Sequence, residues 1–549
     1  MKKNKENTLA WLMSGLFGIL AGVFLTFGYQ LETNDVIDLY DKNAMMVMLA
    51  LMVIVTVDTR YVWRNYDMAR HGGRLFGIIR LPEKGDENEF SKRDYLINLV
   101  SLVALCIPVF LAEFPGFFVY DAQEELNEVL TRSFTTHHPL FHVLLLGGVI
   151  AFVHKLSGSW NAGIAVYLIL QLLVISAVYA YVVTYLQKKG IGKKARVFWI
   201  LFYGLFPTIV MYTLCSCKDG LFSAFLLLMT VFLLQMVEDV EGFFENRKKV
   251  VSFVAVAVLM PLFRHNGFYA YLVFVPFAII YFRKKLKPLM AAVLVLPMVL
   301  YLLFSSILSI VCNSEGTHHQ EMLTVPIMQL ARVYTYDGDS LSDEDKAVIE
   351  SYIPKENLKN YTPRVSDLVK VGFNNKLYEE DKKSFWNVWI KVFKDHPVAY
   401  LNAWMLTSYG YYYPPAVINV YKGNTVFSFT YEESSYFGYE VEPPGERTSF
   451  IPVIDKLYKY LSIGSFQQDA TILHLLFSPG LYLFIYMFVF AYRLSKKRTG
   501  EILPFLPMIL TFCTVLLGPT YLVRYVLYLW TTLPLLLVRS CHGKEKAAV

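Results

Sequence analysis

Residues 113–142 concentrate groups able to do acid–base and anion chemistry: Glu113-Phe-Pro-Gly, then Tyr120-Asp-Ala-Gln-Glu-Glu125, then Thr135-Thr-His-His-Pro-Leu-Phe-His142. Asp121 is a candidate general base for a hydroxyl proton, with Gln123, Glu124, His137 and His138 as candidate binding groups beside it. Further along stand Lys218-Asp219, Arg264-His265-Asn266, Arg332 and Arg524. Lys and Arg hold phosphate oxygens and stabilise a departing phosphate. The set therefore suits transfer of a group from a lipid phosphate. Ionisable residues this close to membrane-length apolar runs are costly to keep unless they are used.

The elements that must position these groups are membrane helices. The chain has 549 residues, of which 55% are hydrophobic, 16% aromatic and only 17% charged. Mean hydropathy is +0.41. A soluble protein of this size could not bury that much apolar surface. The composition predicts an all-α polytopic membrane protein with about 12–13 membrane helices, one of them re-entrant, and a mixed, partly helical extracytoplasmic domain. The net charge of +6 sits in short clusters between apolar runs, where it reads as topology and not as a nucleic-acid footprint. Membrane lipids are expected as surroundings, and nucleic acid is not a partner. Cys106, Cys215, Cys217, Cys312, Cys513 and Cys541 form no regular framework, so neither disulfides nor a zinc site is expected. The basic start Met1-Lys-Lys-Asn-Lys5 lacks a small-residue cleavage site and reads as the lead into a retained first helix.

Apolar runs and Lys/Arg clusters divide the chain. Residues 1–94 form a two-helix unit (near 9–29 and 43–62) with a basic cytoplasmic loop carrying Arg60, Arg64, Arg70, Arg74, Arg80, Lys84, Lys92 and Arg93. Residues 95–311 form the membrane core, with a helix over 95–112 and a first outer loop over 113–138. Further helices are expected over 163–186, 197–215, 221–237, 250–263, 267–282 and 288–311. Residues 312–469 form the extracytoplasmic domain, with a capping-box start at Ser342-Asp-Glu-Asp345. Residues 470–549 supply helices near 471–492, 502–519 and 521–538. Clusters at 188–196, 247–249, 283–285 and 496–498, with Lys544 and Lys546, all fall inside on one condition. The run 139–153, about 15 residues long, must not cross the membrane; it is expected to be re-entrant or interfacial. Both termini are then cytoplasmic and every candidate site residue lies outside.

Each residue also has a plainer reading. Asp121 can cap the helix that follows it, Lys218 and Asp219 can pair at a helix start, and Arg264-His-Asn-Gly267 can be a polar hairpin turn. His137 and His138 can be interfacial hydrogen-bonders, and Tyr411–Tyr413 an interfacial belt.

Phe114-Pro-Gly, Tyr120-Asp-Ala-Gln123, His137-His-Pro-Leu140, Lys218-Asp-Gly-Leu-Phe222, Arg264-His-Asn-Gly267 and Arg524-Tyr525 together resemble the GT-C superfamily of integral-membrane glycosyltransferases, closest to poorly characterised bacterial members. The resemblance covers residues 95–310 and the last helices. It implies a sugar donor carried on polyprenyl phosphate, an acceptor that is an envelope glycan, lipid or protein, and Asp121 as the base in an in-line displacement. Two helices precede the core here, and His137-His138 stands where several relatives have Lys or His before Pro. Some members use a divalent cation and others do not, so metal dependence stays open; no residue pattern requires one. Two other classes remain: an envelope-polysaccharide polymerase or ligase relying on loop arginines such as Arg332, and a lipid-linked-sugar transporter or flippase.

Overall fold

The computed structural model describes residues 2–80, 85, 89–285, 287–417 and 441–541. Lys84, Lys544 and Lys546, expected in the basic clusters, lie outside these, as does the side chain of Cys541. By length and composition, eight of the described helices can cross a membrane, or nine if one bent pair counts as a span. Helices are what an apolar run must form there, because lipid offers nothing to a free N–H or C=O. The chain is an all-α polytopic membrane protein.

Helices α1 (Lys2–Asn34) and α2 (Lys42–Arg70) form an antiparallel hairpin, with Asp41 capping α2 through Asn43 N and Ala44 N. Both are longer than expected, so Arg60, Arg64 and Arg70 lie on α2 and not in a loop. Two small residues explain the contact. A Cβ on Gly18 would stand 2.1 Å from Thr56 Oγ1, and one on Gly22 would stand 2.6 Å from Met52 Cγ, so this Gly-xxx-Gly face lets the two backbones approach.

The core follows with α3 (Lys92–Ala112), the short α4 (Ala122–Thr131), α5 (Leu140–Ser157), α6 (Trp160–Lys188), α7 (Lys193–Leu205) and α8 (Pro207–Thr213). After these come α9 (Asp219–Glu238), α10 (Val240–Glu245), α11 (Arg247–Phe263), α12 (His265–Phe282) and α13 (Pro288–Cys312). The single helix expected over 197–215 is broken at Phe206-Pro207, where α7 and α8 meet at 57°. Proline supplies no N–H and clashes with the preceding turn.

Basic clusters collect at one end. Lys189 pairs with Glu238 at 2.8 Å, Arg196 with Asp94 at 3.0 Å, Lys496 with Asp67 at 2.6 Å and Arg498 with Glu501 at 3.9 Å. These contacts join the start of α3, the ends of α2, α6 and α9, and the turn near 496–501. Helix α5 is apolar enough to span, yet it does not reach that end. It folds back on the first part of α6 through Gly158, with His142 Nε2 2.8 Å from Tyr167 OH and Gly163 against the Ile150 carbonyl. From Tyr167, α6 runs on without α5, packed against α3 and α9, to Lys188, roughly 30 Å at the usual helical rise.

The polar segment has its own core of Ile327, Leu330, Ile349, Phe385 and Tyr400, built from helices Thr324–Tyr336, Asp343–Tyr352, Lys382–Asp395 and Pro397–Leu406. Ser342 caps the second of these by accepting from Asp345 N. Tyr411, Tyr412 and Tyr413 are buried in the main core, not displayed in a belt: Tyr411 OH accepts from Leu522 N and donates to Thr520 O. The last helices are shorter than expected, at Pro479–Ser495, Leu506–Val515 and Leu533–Cys541, with 3-10 turns between them.

Candidate active site

Two extended loops bring the distant parts together. Residues 113–119 follow α3, and residues 214–218 lead from α8 into α9. They pair in parallel, Phe117 N donating to Leu214 O at 3.0 Å and Ser216 N to Phe117 O at 2.9 Å. Gly116 makes this possible: its φ is +115°, and a Cβ there would stand 2.2 Å from Leu168 Cδ1 and 3.0 Å from Leu214 O. On the other side a strap over 442–450 bonds to the carbonyls of Leu111, Phe114 and Phe118. Arg447 of this strap pairs with the fully buried Glu113.

The pairing sets Asp121 against Lys218. Asp121 occupies the N-cap position of α4 yet makes no capping bond, so the plainer reading of this residue fails. Its Oδ2 accepts from Lys218 Nζ at 2.6 Å and Arg524 Nη1 at 3.2 Å, and its Oδ1 accepts from Arg524 Nη2 at 3.4 Å. Burial alone would raise its pKa, but Arg524, Lys218 and His138 outweigh burial and hold the carboxyl well below the usual range.

Lys218 also donates to Glu125 Oε1 at 3.3 Å and His138 Nδ1 at 2.9 Å. Its three N–H bonds meet three acceptors. His138 therefore carries its proton on Nε2, which faces Glu124 at 3.5 Å. Behind Lys218 runs a buried chain. Glu125 Oε2 lies 2.5 Å from His142 Nδ1, His142 Nε2 lies 2.8 Å from Tyr167 OH, and Tyr167 donates to Gln171 Oε1 at 3.1 Å. Gln171 Nε2 then donates to the carbonyls of Thr213 and Cys215, in the loop that presents Lys218. Burial opposes the charge on Glu125, yet His142 and Lys218 bring its pKa down to about 2.

A second ionic group adjoins the first. Asp219 lies in the first turn of α9, where the helix dipole favours an anion, and it pairs with Arg264 and not with Lys218. Arg264 stacks over Tyr525 at 4.2 Å, and Arg524 over Tyr120 at 4.2 Å. Arg524 Nη1 lies 3.7 Å from Asp219 Oδ2, while its buried Nε has no hydrogen-bond partner.

Asp121, His138, Lys218, Asp219, Arg264 and Arg524 thus converge. Glu124 and His137 stand exposed at the rim, His137 with its ring 4.5 Å from that of His138; partial burial, then His138, lowers its pKa. Gln123 points to the exposed side of α4. His265 faces away, bonding Tyr301 OH at 2.9 Å, and Asn266 ties α12 to Thr514 at 2.8 Å. Arg332 does not join the site. It donates to the Asp35 carbonyl at 2.7 Å and stacks on Tyr336, fastening the polar domain to the end of α1. Sequence reasoning gave no site role to Glu125, His142, Tyr120, Tyr167 and Tyr525, although all but Tyr167 stand in the stretches it singled out. Glu125 carries a readable signal, standing four residues beyond Asp121 and hence on the same side of α4, whereas His138 precedes α5 and shares no helical face with His142.

A cavity of about 50 Å³ between His138, Phe141, Leu262, His265 and Tyr301 adjoins a larger one of about 530 Å³ along α12 and α13. Both share His265, Tyr301 and Ser305, so space runs from the ionic cluster to the flank of the bundle. Asp121, Glu125 and His138 also present ligand atoms within 4.8 Å of one another, the spacing of a cation site.

No curated protein and no solved structure matches the chain. One family model does, over residues 128–549, so it starts after Asp121 and Glu125 and takes in His138, Lys218, Arg264 and Arg524. On that match the chain belongs to DUF6020, a family of unknown function.

Proposed function

We propose that this chain is a membrane glycosyltransferase that moves a sugar from a polyprenyl-phosphate donor to a cell-envelope acceptor, with Asp121 as the base. The observation that carries the reading is the Asp121 carboxylate: it leaves the cap of its own helix and sits between Lys218 and Arg524. The site lies at the end away from the basic clusters, which mark the cytoplasmic side, so it faces outward. The cavity beside His265 offers room for an apolar chain entering from the flank of the bundle.

A carboxylate held this strongly ionised is a weak proton acceptor at rest. Donor binding changes that. The donor phosphate competes for Lys218, Arg524 and Arg264, the hold on Asp121 loosens, and its basicity rises when an acceptor hydroxyl is present. The hydroxyl proton passes to Asp121, the hydroxyl oxygen bonds the anomeric carbon, and the bond from that carbon to phosphate oxygen breaks. The phosphate keeps the electron pair and is stabilised by the cations. The polymerase or ligase reading leaned on Arg332, which fastens the polar domain instead.

The test is transfer by purified protein from a panel of radiolabelled polyprenyl-phosphate sugars. Asp121→Asn should insert normally and lose transfer; retained transfer would sink the assignment.

A further inference from the structure

The trio Asp121, Glu125 and His138 has the donor types that bind a borderline divalent cation, two carboxylate oxygens and an imidazole nitrogen. It also has the supports such ligands need. Glu125 is braced by His142, His138 faces Glu124 through its other nitrogen, and the chain through Tyr167 and Gln171 fixes the loop beneath. Yet the centre of the trio is taken: Lys218 Nζ lies 2.6, 3.3 and 2.9 Å from the three ligand residues. All three ammonium protons are committed there.

Charge makes the same point. Asp121 and Glu125 bring two negative charges, and Lys218 with Arg524 brings two positive ones, all largely buried. A divalent ion added to this set would raise its charge by two in a low-dielectric place. An ion replacing the ammonium would add only one. Metal bonds of about 2.0–2.2 Å require the ligands to draw in by roughly an ångström, a movement open to Asp121, whose side chain is 24% exposed at the start of α4.

We infer that Lys218 is a built-in cation standing where a divalent metal would otherwise sit: the intact chain holds no metal at this trio, and removing the Lys218 side chain converts it into a metal site. This concerns the same site but does not depend on which group is transferred. The ammonium then does the electrostatic part of a metal's task, keeping Asp121 and Glu125 ionised and offering positive charge to an arriving phosphate, at a fixed place and without an ion to lose.

The experiment uses full-length protein in detergent micelles, titrated with MnCl2 at neutral pH and followed by the electron paramagnetic resonance signal of free Mn2+. Wild type should show no saturable Mn2+ binding that depends on Asp121. Lys218→Gly should bind one Mn2+ per chain saturably, gain thermal stability from it, and lose both effects when Asp121→Asn is added. Lys218→Met, which fills the space without a charge, should bind no better than wild type. If wild type takes up Mn2+ through Asp121 as tightly as Lys218→Gly, the ammonium moves aside and the inference falls. It also falls if Lys218→Gly elutes as a folded monodisperse protein and binds none. Should Lys218→Gly not fold, Lys218→Ala is titrated in its place, with the same binding expected and the same absence of binding overturning the inference.

Discussion

Lys218 and Arg332 are both buried cations at the same end of the molecule, 8% and 4% exposed, and they are held in opposite ways. Arg332 rests on neutral groups: a backbone carbonyl, the Tyr361 hydroxyl and the Tyr336 ring. Lys218 is shared among two carboxylates and a histidine. A cation on neutral partners is a fastener whose loss costs hydrogen bonds and packing. A cation shared by titratable groups sets which of them are ionised, and so sets what chemistry they can do. Burial and charge alone do not separate the two; the partners do.

The sharpest way to break this contrast is to remove each cation in turn. On the proposed function, Lys218→Met should lower transfer by about 10²–10³-fold or more, because a charge that would stabilise the leaving phosphate is gone. Arg332→Met should leave the turnover rate near wild type. Equal losses would abolish the distinction. Thermal melts in detergent should rank the same way: losing Lys218 leaves Glu125, 1% exposed, beside fewer cations and costs about 3–5 kcal/mol, whereas losing Arg332 costs about 1–3 kcal/mol.

A smaller effect follows from the Glu125 carboxyl. Its folded pKa of about 2 lies below its ordinary 4.5, so its contribution to stability is fully present above about pH 4.5 and is lost as pH falls toward 2. Wild type and Glu125→Gln should therefore differ in melting temperature by a constant amount from pH 7 down to pH 5, and converge below that window. Convergence between pH 7 and 5 would mean that Glu125 is not held by Lys218 and His142. The smallest effect is expected at Tyr167→Phe, which cuts the chain between His142 and Gln171. About 1–2 kcal/mol of stability should go, with a modest fall in turnover as the Thr213–Cys215 loop loosens. A fall as large as that of Lys218→Met would place Tyr167 in the chemistry itself.

The legible part of the site lay in the residues that are rare near a membrane. Asp121, His138, Lys218, Arg264 and Arg524 stood out because each interrupts or flanks an apolar run, and all five converge. Arg332 stood out for the same reason and is elsewhere, since composition marks a costly residue without naming its partner. Glu125 was hidden by its neighbours, although its four-residue spacing from Asp121 was there to read. The break at Phe206-Pro207 was also present as a proline, yet a proline alone says that a helix is disturbed and not by what angle.

By itself the sequence determined the all-helical membrane class, the run of apolar helices, and the gathering of basic clusters that the structure places at one end. Apolar length, charge position and backbone hydrogen bonding in lipid leave few other outcomes. Only the tertiary structure decided that the opening polar stretch, residues 113–142, is one half of a site whose other half begins nearly a hundred residues later. That junction depends on two extended loops pairing edge to edge across Gly116, and on one ammonium meeting three acceptors at once. Such contacts join groups by distance in space, which no local pattern of residues records.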